Sequence, residues 1–117
     1  MGKILIVDDN DDIQVLLKKF LSMKGYDIAQ AKNGVEAKEY LETENHTCIV
    51  LLDLMMPVMS GQEFLEWKNN DKEFKDLPVL VVSAQPEEHL QGTVGVMAKP
   101  VNMKELYSVV AHYCSAS

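Results

Sequence analysis

Short apolar runs of strand length alternate along the chain with longer segments whose apolar positions recur at helical spacing. Lys3–Val7 reads as a strand. Asp11–Lys24 carries Ile13, Leu16, Leu17, Phe20 and Leu21 at helical intervals, and Gly25 stops it. Asp27–Ala31 is a second short strand, after which Asn33 caps a helix holding Val35, Ala37, Tyr40 and Leu41. Cys48–Leu52 is unbroken by any polar residue, the pattern of a central parallel strand covered on both faces. Ser60 and Glu63 form a capping-box pair that opens a helix with Phe64 and Leu65.

"DLPVLVVS" supplies a fourth strand with Pro78 at its entry, where a missing N–H does least harm. Val94–Ala98 is a fifth, and Asn102 with Glu105 opens a last helix carrying Leu106, Val109, Val110 and Tyr113. A short helix is expected around Pro86–Gln91. Alternation of this kind implies a parallel sheet with right-handed crossovers and helices on both faces. No repeat, low-complexity tract or linker interrupts it, so residues 1–117 are expected to form one domain.

Polar residues fall where the strands end. The first strand runs into Asp8 and Asp9, the third into Asp53, the fourth into Ser83 and the fifth into Lys99. In an open parallel sheet the carboxyl ends lie together, and ligands bind in the crevice outside them. Two carboxylates about 4 Å apart repel by about 4 kcal/mol at an effective dielectric near 20, so such a cluster calls for a cation. Carboxylates in a crevice suit Mg²⁺, which keeps several waters and often shares a phosphate. Lys99 and Ser83 then supply a positive charge and a hydroxyl donor for an anion beside the metal. An aspartate in that company can itself be a nucleophile for a phosphoryl group.

The net charge of −7, with no basic block beyond pairs such as Lys18-Lys19, argues against direct nucleic-acid binding. Apolar runs of four or five residues are far short of a membrane span, and no signal peptide is visible. Two cysteines, Cys48 in an apolar run and Cys114 near the last helix, make no disulfide framework, so a reducing, cytoplasmic setting is expected. Cys48 reads as a small core residue. His46, His89 and His112 lack ligand spacing, and Met55, Met56 and Met59 read as gap-fillers. Asp11 and Asp12 are first-turn acids favoured by the helix dipole, with no role in the site.

The segments "ILIVDD", "VLLDLMMPVMSG", "LPVLVVSA" and "MAKP", in this order and on these strands, resemble the receiver domains of two-component response regulators, of the chemotaxis-regulator type. The resemblance spans the whole chain. It implies a flavodoxin-like, doubly wound five-stranded parallel sheet in the order 2-1-3-4-5. It makes Asp53 the phosphoacceptor. Asp9 becomes a direct Mg²⁺ ligand, Asp8 one acting through metal-bound water, and Asp53 with the Met55 carbonyl completes the set. Mn²⁺ is an acceptable substitute. Lys99 and Ser83 stabilise the phosphoryl group, and the Lys99-Pro100 bond is expected to be cis.

Three departures matter. Val96 stands where the family often carries a switch aromatic. The segment between Ser83 and Lys99 is several residues short, so the family's fourth helix must be trimmed. Met55 and Gln85 occupy positions at which the family tunes phosphoryl lifetime. With the usual output face altered, partners are expected to read the first helix and the loops at the strand tips.

The function so implied is a stand-alone switch, phosphorylated by a histidine kinase or a histidine phosphotransfer protein. It then alters binding to a downstream protein and dephosphorylates itself, which makes it a self-modifying module rather than an enzyme. One alternative is a degenerate receiver that signals without phosphorylation. The other is an Mg²⁺-dependent aspartyl-phosphate phosphatase. Phosphatases of the haloacid-dehalogenase type place their acids two apart after the first strand, whereas Asp8 and Asp9 are adjacent.

Overall fold

A computed structural model of the chain describes residues 2–44, 46–85 and 90–114. The elements run β1 (Lys3–Val7), α1 (Asp11–Met23), β2 (Asp27–Ala31), α2 (Gly34–Thr43), β3 (Thr47–Leu52), α3 (Gly61–Asn69), β4 (Val79–Ser83), β5 (Gly95–Ala98) and α4 (Met103–Tyr113). The sheet order is β2-β1-β3-β4-β5 and every neighbouring pair is parallel. These bounds agree with the sequence reading to within a residue or so at each end.

Successive side chains along a strand point to opposite faces, and both faces are covered. Leu5 and Val7 of β1, with Val50 and Leu52 of β3, pack against Ala37 and Leu41 of α2 and Phe64 and Leu65 of α3. Ile4 and Ile6, with Ile49 and Leu51, face Leu17 and Leu21 of α1 and Leu106 and Val110 of α4. The central stretches Ile4–Val7, Ile49–Leu52 and Val79–Val82 are unbroken apolar runs because neither of their faces meets water, whereas edge strand β2 carries exposed Asp27 and Gln30.

Helix starts follow local polar chemistry. Asn10, Asn33 and Asn102 each accept a hydrogen bond from the backbone N–H three residues on, satisfying donors the first turn would leave orphaned. Ser60 and Glu63 make the reciprocal capping box at α3. The pair at Asn102 and Glu105 is one-sided: only the Asn102 side chain caps. Gly25, with φ of +94°, ends α1 in a conformation that side chains resist.

The helix expected around Pro86–Gln91 falls largely outside the described residues. Its described remainder, Leu90 and Gln91, leads through a turn at Gln91–Gly92 and a bend at Val94 into β5, and this segment is strapped to α3. The buried Lys68 ammonium donates to the carbonyls of Lys75 (2.8 Å) and Gly92 (3.2 Å), while Asn69 Nδ2 donates to the Gln91 carbonyl (2.8 Å). A Cβ on Gly92 would fall 1.9 Å from Asn69 Oδ1, so only glycine lets the strap lie this close. Burial pushes the Lys68 amine below the ordinary lysine range, with nearby Asp76 opposing the shift.

One sequence expectation is overturned. Cys48 and Cys114 are not separate thiols: they form a disulfide across a sequence separation of 66, with Cα atoms 5.5 Å apart. The fold returns the end of α4 to the start of β3, a meeting that cysteine spacing along the chain does not encode. Trp67 lies between Phe64 and Phe74 at the margin of the core, its ring tilted against theirs with centroids 5.7 and 5.5 Å away. His46 and His112 are exposed, whereas His89 lies outside the described residues.

Candidate functional site

The carboxyl ends of β1, β3, β4 and β5 meet at one point. Asp53 follows the last residue of β3, and its backbone N–H donates to the Val7 carbonyl at the end of β1 (2.9 Å). That bond extends the β1–β3 ladder past the strand and delivers Asp53 beside Asp8. Both carboxylates are buried, 5% and 3% exposed, and Asp9 is exposed at the rim. One carboxylate oxygen from each of Asp8, Asp9 and Asp53 lies within 4.8 Å of the others.

Lys99 crosses from β5 to this cluster. Its ammonium donates to Asp8 Oδ2 at 2.7 Å and sits 3.7 Å from Asp53 Oδ2. Asp8 Oδ1 accepts from the Asn10 N–H (2.9 Å), so both Asp8 oxygens are engaged. Asp53 Oδ1 takes a long bond from the Met55 N–H (3.3 Å). Burying two carboxylates with one ammonium leaves net negative charge at the site, and the exposed Asp9 adds to it. Hard oxygen donors so arranged fit a divalent cation of the Mg²⁺ type. Asp9 and Asp53 have oxygens available to bind it, and the engaged Asp8 is suited to a supporting position.

Ser83 is wholly buried at the end of β4. Its hydroxyl accepts from the Gln85 N–H (3.4 Å), and its carbonyl accepts from the Lys99 N–H (3.0 Å). The β4–β5 register pairs Ser83 with Ala98, so serine and lysine are delivered by neighbouring strands. The Lys99-Pro100 bond is cis. Met55 is exposed in the loop after Asp53, and Gln85 is exposed after β4. Val96 pairs with Val81 and packs half-buried against the core.

Two residues that sequence reading passed over shape the site from beneath. Gln14, on the inner side of α1, is buried, and its Nε2 donates to the carbonyls of Ile6 (3.1 Å), Asp8 (2.9 Å) and Ala31 (2.8 Å). It thereby pins the turn that carries Asp8 and Asp9 to the ends of β1 and β2. The only trace in the sequence is one amide set among the apolar residues of a helix. Gly61, the first residue of α3, packs against the backbone just after β3. A Cβ there would be 2.5 Å from the Asp53 carbonyl oxygen and 2.7 Å from Leu54 Cα. Between them, Val58 holds a φ of +69°, which a β-branched residue adopts only under strain.

The family model of the response regulator receiver domain matches residues 4–111. The chain belongs to that family. Among curated proteins it is 42% identical over 87 residues to the transcriptional regulatory protein SrrA of Staphylococcus aureus. That match takes in 74% of this chain and 34% of SrrA, so the chain spans about a third of the curated relative's length. Among solved structures it resembles the chemotaxis protein CheY4 of Vibrio cholerae, at 26% identity and a TM-score of 0.86, over 97% of this chain and 99% of that one. It also resembles the response regulator TrrA of Thermotoga maritima, solved in complex with Mg²⁺-BeF, at 32% identity and a TM-score of 0.83, over 97% and 100% of the two chains. The receiver's five-stranded sheet in the order 2-1-3-4-5 is thus both observed here and shared with these structures.

Proposed function

We propose that this receiver is a phosphorylation switch in which Asp53 accepts a phosphoryl group from the phosphohistidine of a kinase or phosphotransfer protein. The observation that carries the reading is the placement of the Lys99 ammonium between buried Asp8 and Asp53, with Asp9 completing the acid cluster. One oxygen of Asp53 attacks phosphorus in line, a P–O bond forms, and the P–N bond to the donor imidazole breaks. Mg²⁺, held by Asp9, Asp53 and the Met55 carbonyl with Asp8 in support, would neutralise charge on the transferring group. Mn²⁺ would serve in its place.

Lys99 moves its attraction from Asp8 and Asp53 to the new phosphoryl oxygens, and the Ser83 hydroxyl turns to donate to one of them. The phosphoryl group adds charge of about −1.5 to −2, which biases the segment after β4 between two arrangements. Hydrolysis of the acyl phosphate by water restores the free carboxylate, at a rate set partly by what Met55 and Gln85 allow to approach. Val96 cannot carry a ring between surface and core, so the signal leaves through the loops and not through an aromatic switch.

Kinase and downstream partner are read by α1 and the neighbouring strand-tip loops. In support, α1 starts right behind Asp8-Asp9 and turns Val15, Leu16 and Met23 to solvent, while Met55 and Val58 are exposed beside the acceptor. Exchange with an intracellular kinase places the chain in the cytoplasm, as a single receiver unit. The altered β5 face favours one second reading, a receiver that works as an interaction module without phosphorylation. Intact-mass analysis after incubation with acetyl phosphate and Mg²⁺ decides between them. One added phosphoryl group, lost in Asp53→Asn, is the expected result. An unlabelled wild-type chain favours the module, and an equally labelled Asp53→Asn chain removes Asp53 as acceptor.

A further inference from the structure

We propose that Cys48 and Cys114 form a reversible thiol–disulfide site, exchanging with a glutathione-type thiol, that locks or frees the last turn of α4. The bond lies at the amino end of the sheet, away from the acid cluster. It joins β3, which carries Cys48 near its start and leads into Asp53, to α4, which begins just after Lys99-Pro100 and ends at Cys114. α4 is therefore tied to β3 at both ends, through the Lys99–Asp53 ion pair above and covalently below.

Three observations favour exchange over a permanent staple. Cys48 is half-buried while Cys114 is 3% exposed, so an incoming thiolate meets the Cys48 sulfur first. The S–S bond then breaks, Cys114 leaves and takes a proton, and Cys48 is held as a mixed disulfide. A second thiol attacks that intermediate, releasing reduced Cys48 and a disulfide of the two incoming thiols. The reduced state also has a place to settle. The Lys3 carbonyl lies 3.5 Å from Cys48 Sγ, an acceptor for the proton it would gain. Finally, Leu106 and Val110 are wholly buried in the turns before Cys114, an anchor for α4 separate from the bond, so the reduction we infer releases a turn and not the helix.

Disulfides in a reducing compartment are usually transient or redox-sensing, and this part of the argument rests on the phosphoswitch reading. The geometry does not, and the experiment reads thiols and backbone protection only, so failed labelling of Asp53 leaves it intact. The whole chain is equilibrated in buffers of graded reduced-to-oxidised glutathione, free thiols are capped with iodoacetamide and counted by intact mass, and amide exchange is followed in the two end states. The expected result is a single step from no capped cysteine to both. Exchange over residues 110–114 then becomes at least tenfold faster on reduction, with the β1 amides still the slowest to exchange. Cys114→Ser in oxidising buffer should reproduce the reduced pattern, which separates loss of the bond from loss of the fold. Two capped cysteines in fully oxidised glutathione overturn the proposal, as do none in fully reduced glutathione. Equal exchange over residues 110–114 in the two end states overturns it too.

Discussion

The two ends of β3 meet the rest of the molecule by opposite means. At its carboxyl end Asp53 faces Asp8, Asp9 and Lys99, a set of charges held by the Lys99 ion pairs and by hydrogen bonds from backbone N–H groups. At its amino end Cys48 is joined covalently to Cys114, beneath a close-packed Gly2 whose added Cβ would lie 2.7 Å from Cys48 Cβ. On the proposed function, the charged end rearranges when a phosphoryl group or cation arrives, because its contacts are exchangeable. The bonded end keeps α4 in place meanwhile. A switch needs both, one region that changes and one against which the change is measured.

The comparison can be broken from either side. Cys48→Ser should have the largest effect: opening a loop of 66 residues costs about 4 kcal/mol on the chain-entropy account, read from urea unfolding without reductant. A negligible loss would mean that packing alone holds the amino end. Lys99→Met should cost about 3 kcal/mol, because two buried carboxylates lose their counter-charge. Saturating Mg²⁺ should return part of that loss, as a cation binding only the folded chain must. If Mg²⁺ returns none of it, the cluster is not a metal site.

Gln14→Met should cost about 2 kcal/mol, because a buried amide that bonds three carbonyls is lost, although Ala31 keeps the Asp8 N–H; it should also weaken Mg²⁺ binding in calorimetry because the Asp8-Asp9 turn loses its anchor. Gln14→Lys, which restores a donor, should recover the affinity. Val58→Asn should raise stability by about 1 kcal/mol by relieving the left-handed backbone, visible as a higher melting temperature.

The smallest effect is expected at high pH. Burial, helped by the Tyr107 phenol, raises the Tyr26 hydroxyl above its usual value of 10.0. Above pH 10 the unfolded chain therefore gives up this proton before the native one, and stability falls as pH rises; below pH 10 the contribution is whole. Tyr26→Phe should flatten part of that alkaline decline in pH-dependent unfolding. Tyr40, shifted in the same direction, should keep the rest.

The carboxyl end was legible in the sequence because its residues interrupt apolar runs. Asp8, Asp53, Ser83 and Lys99 each stand where a strand stops, and a parallel sheet gathers those stops without further information. Three helix starts were legible too, since Asn33, Ser60 and Asn102 act on backbone only three residues away. What stayed hidden depends on contacts between distant segments. Lys68 looks like any solvated helix lysine until residues 75 and 92 close over it. Gln14 looks like a polar lapse in an apolar stripe, and nothing near Cys48 announces Cys114.

The disulfide also divides the chain in a way unrelated to its helices and strands. Residues from Cys48 to Cys114 form a covalent ring, from which β1, α1, β2 and α2 hang as a tail. A protease cut inside the ring would leave a single molecule, heavier by one water, until a thiol parted the pieces. Pulled from its termini, the oxidised protein would pay out only its tails: the ring withholds about 230 Å of contour, 66 residues at about 3.5 Å each.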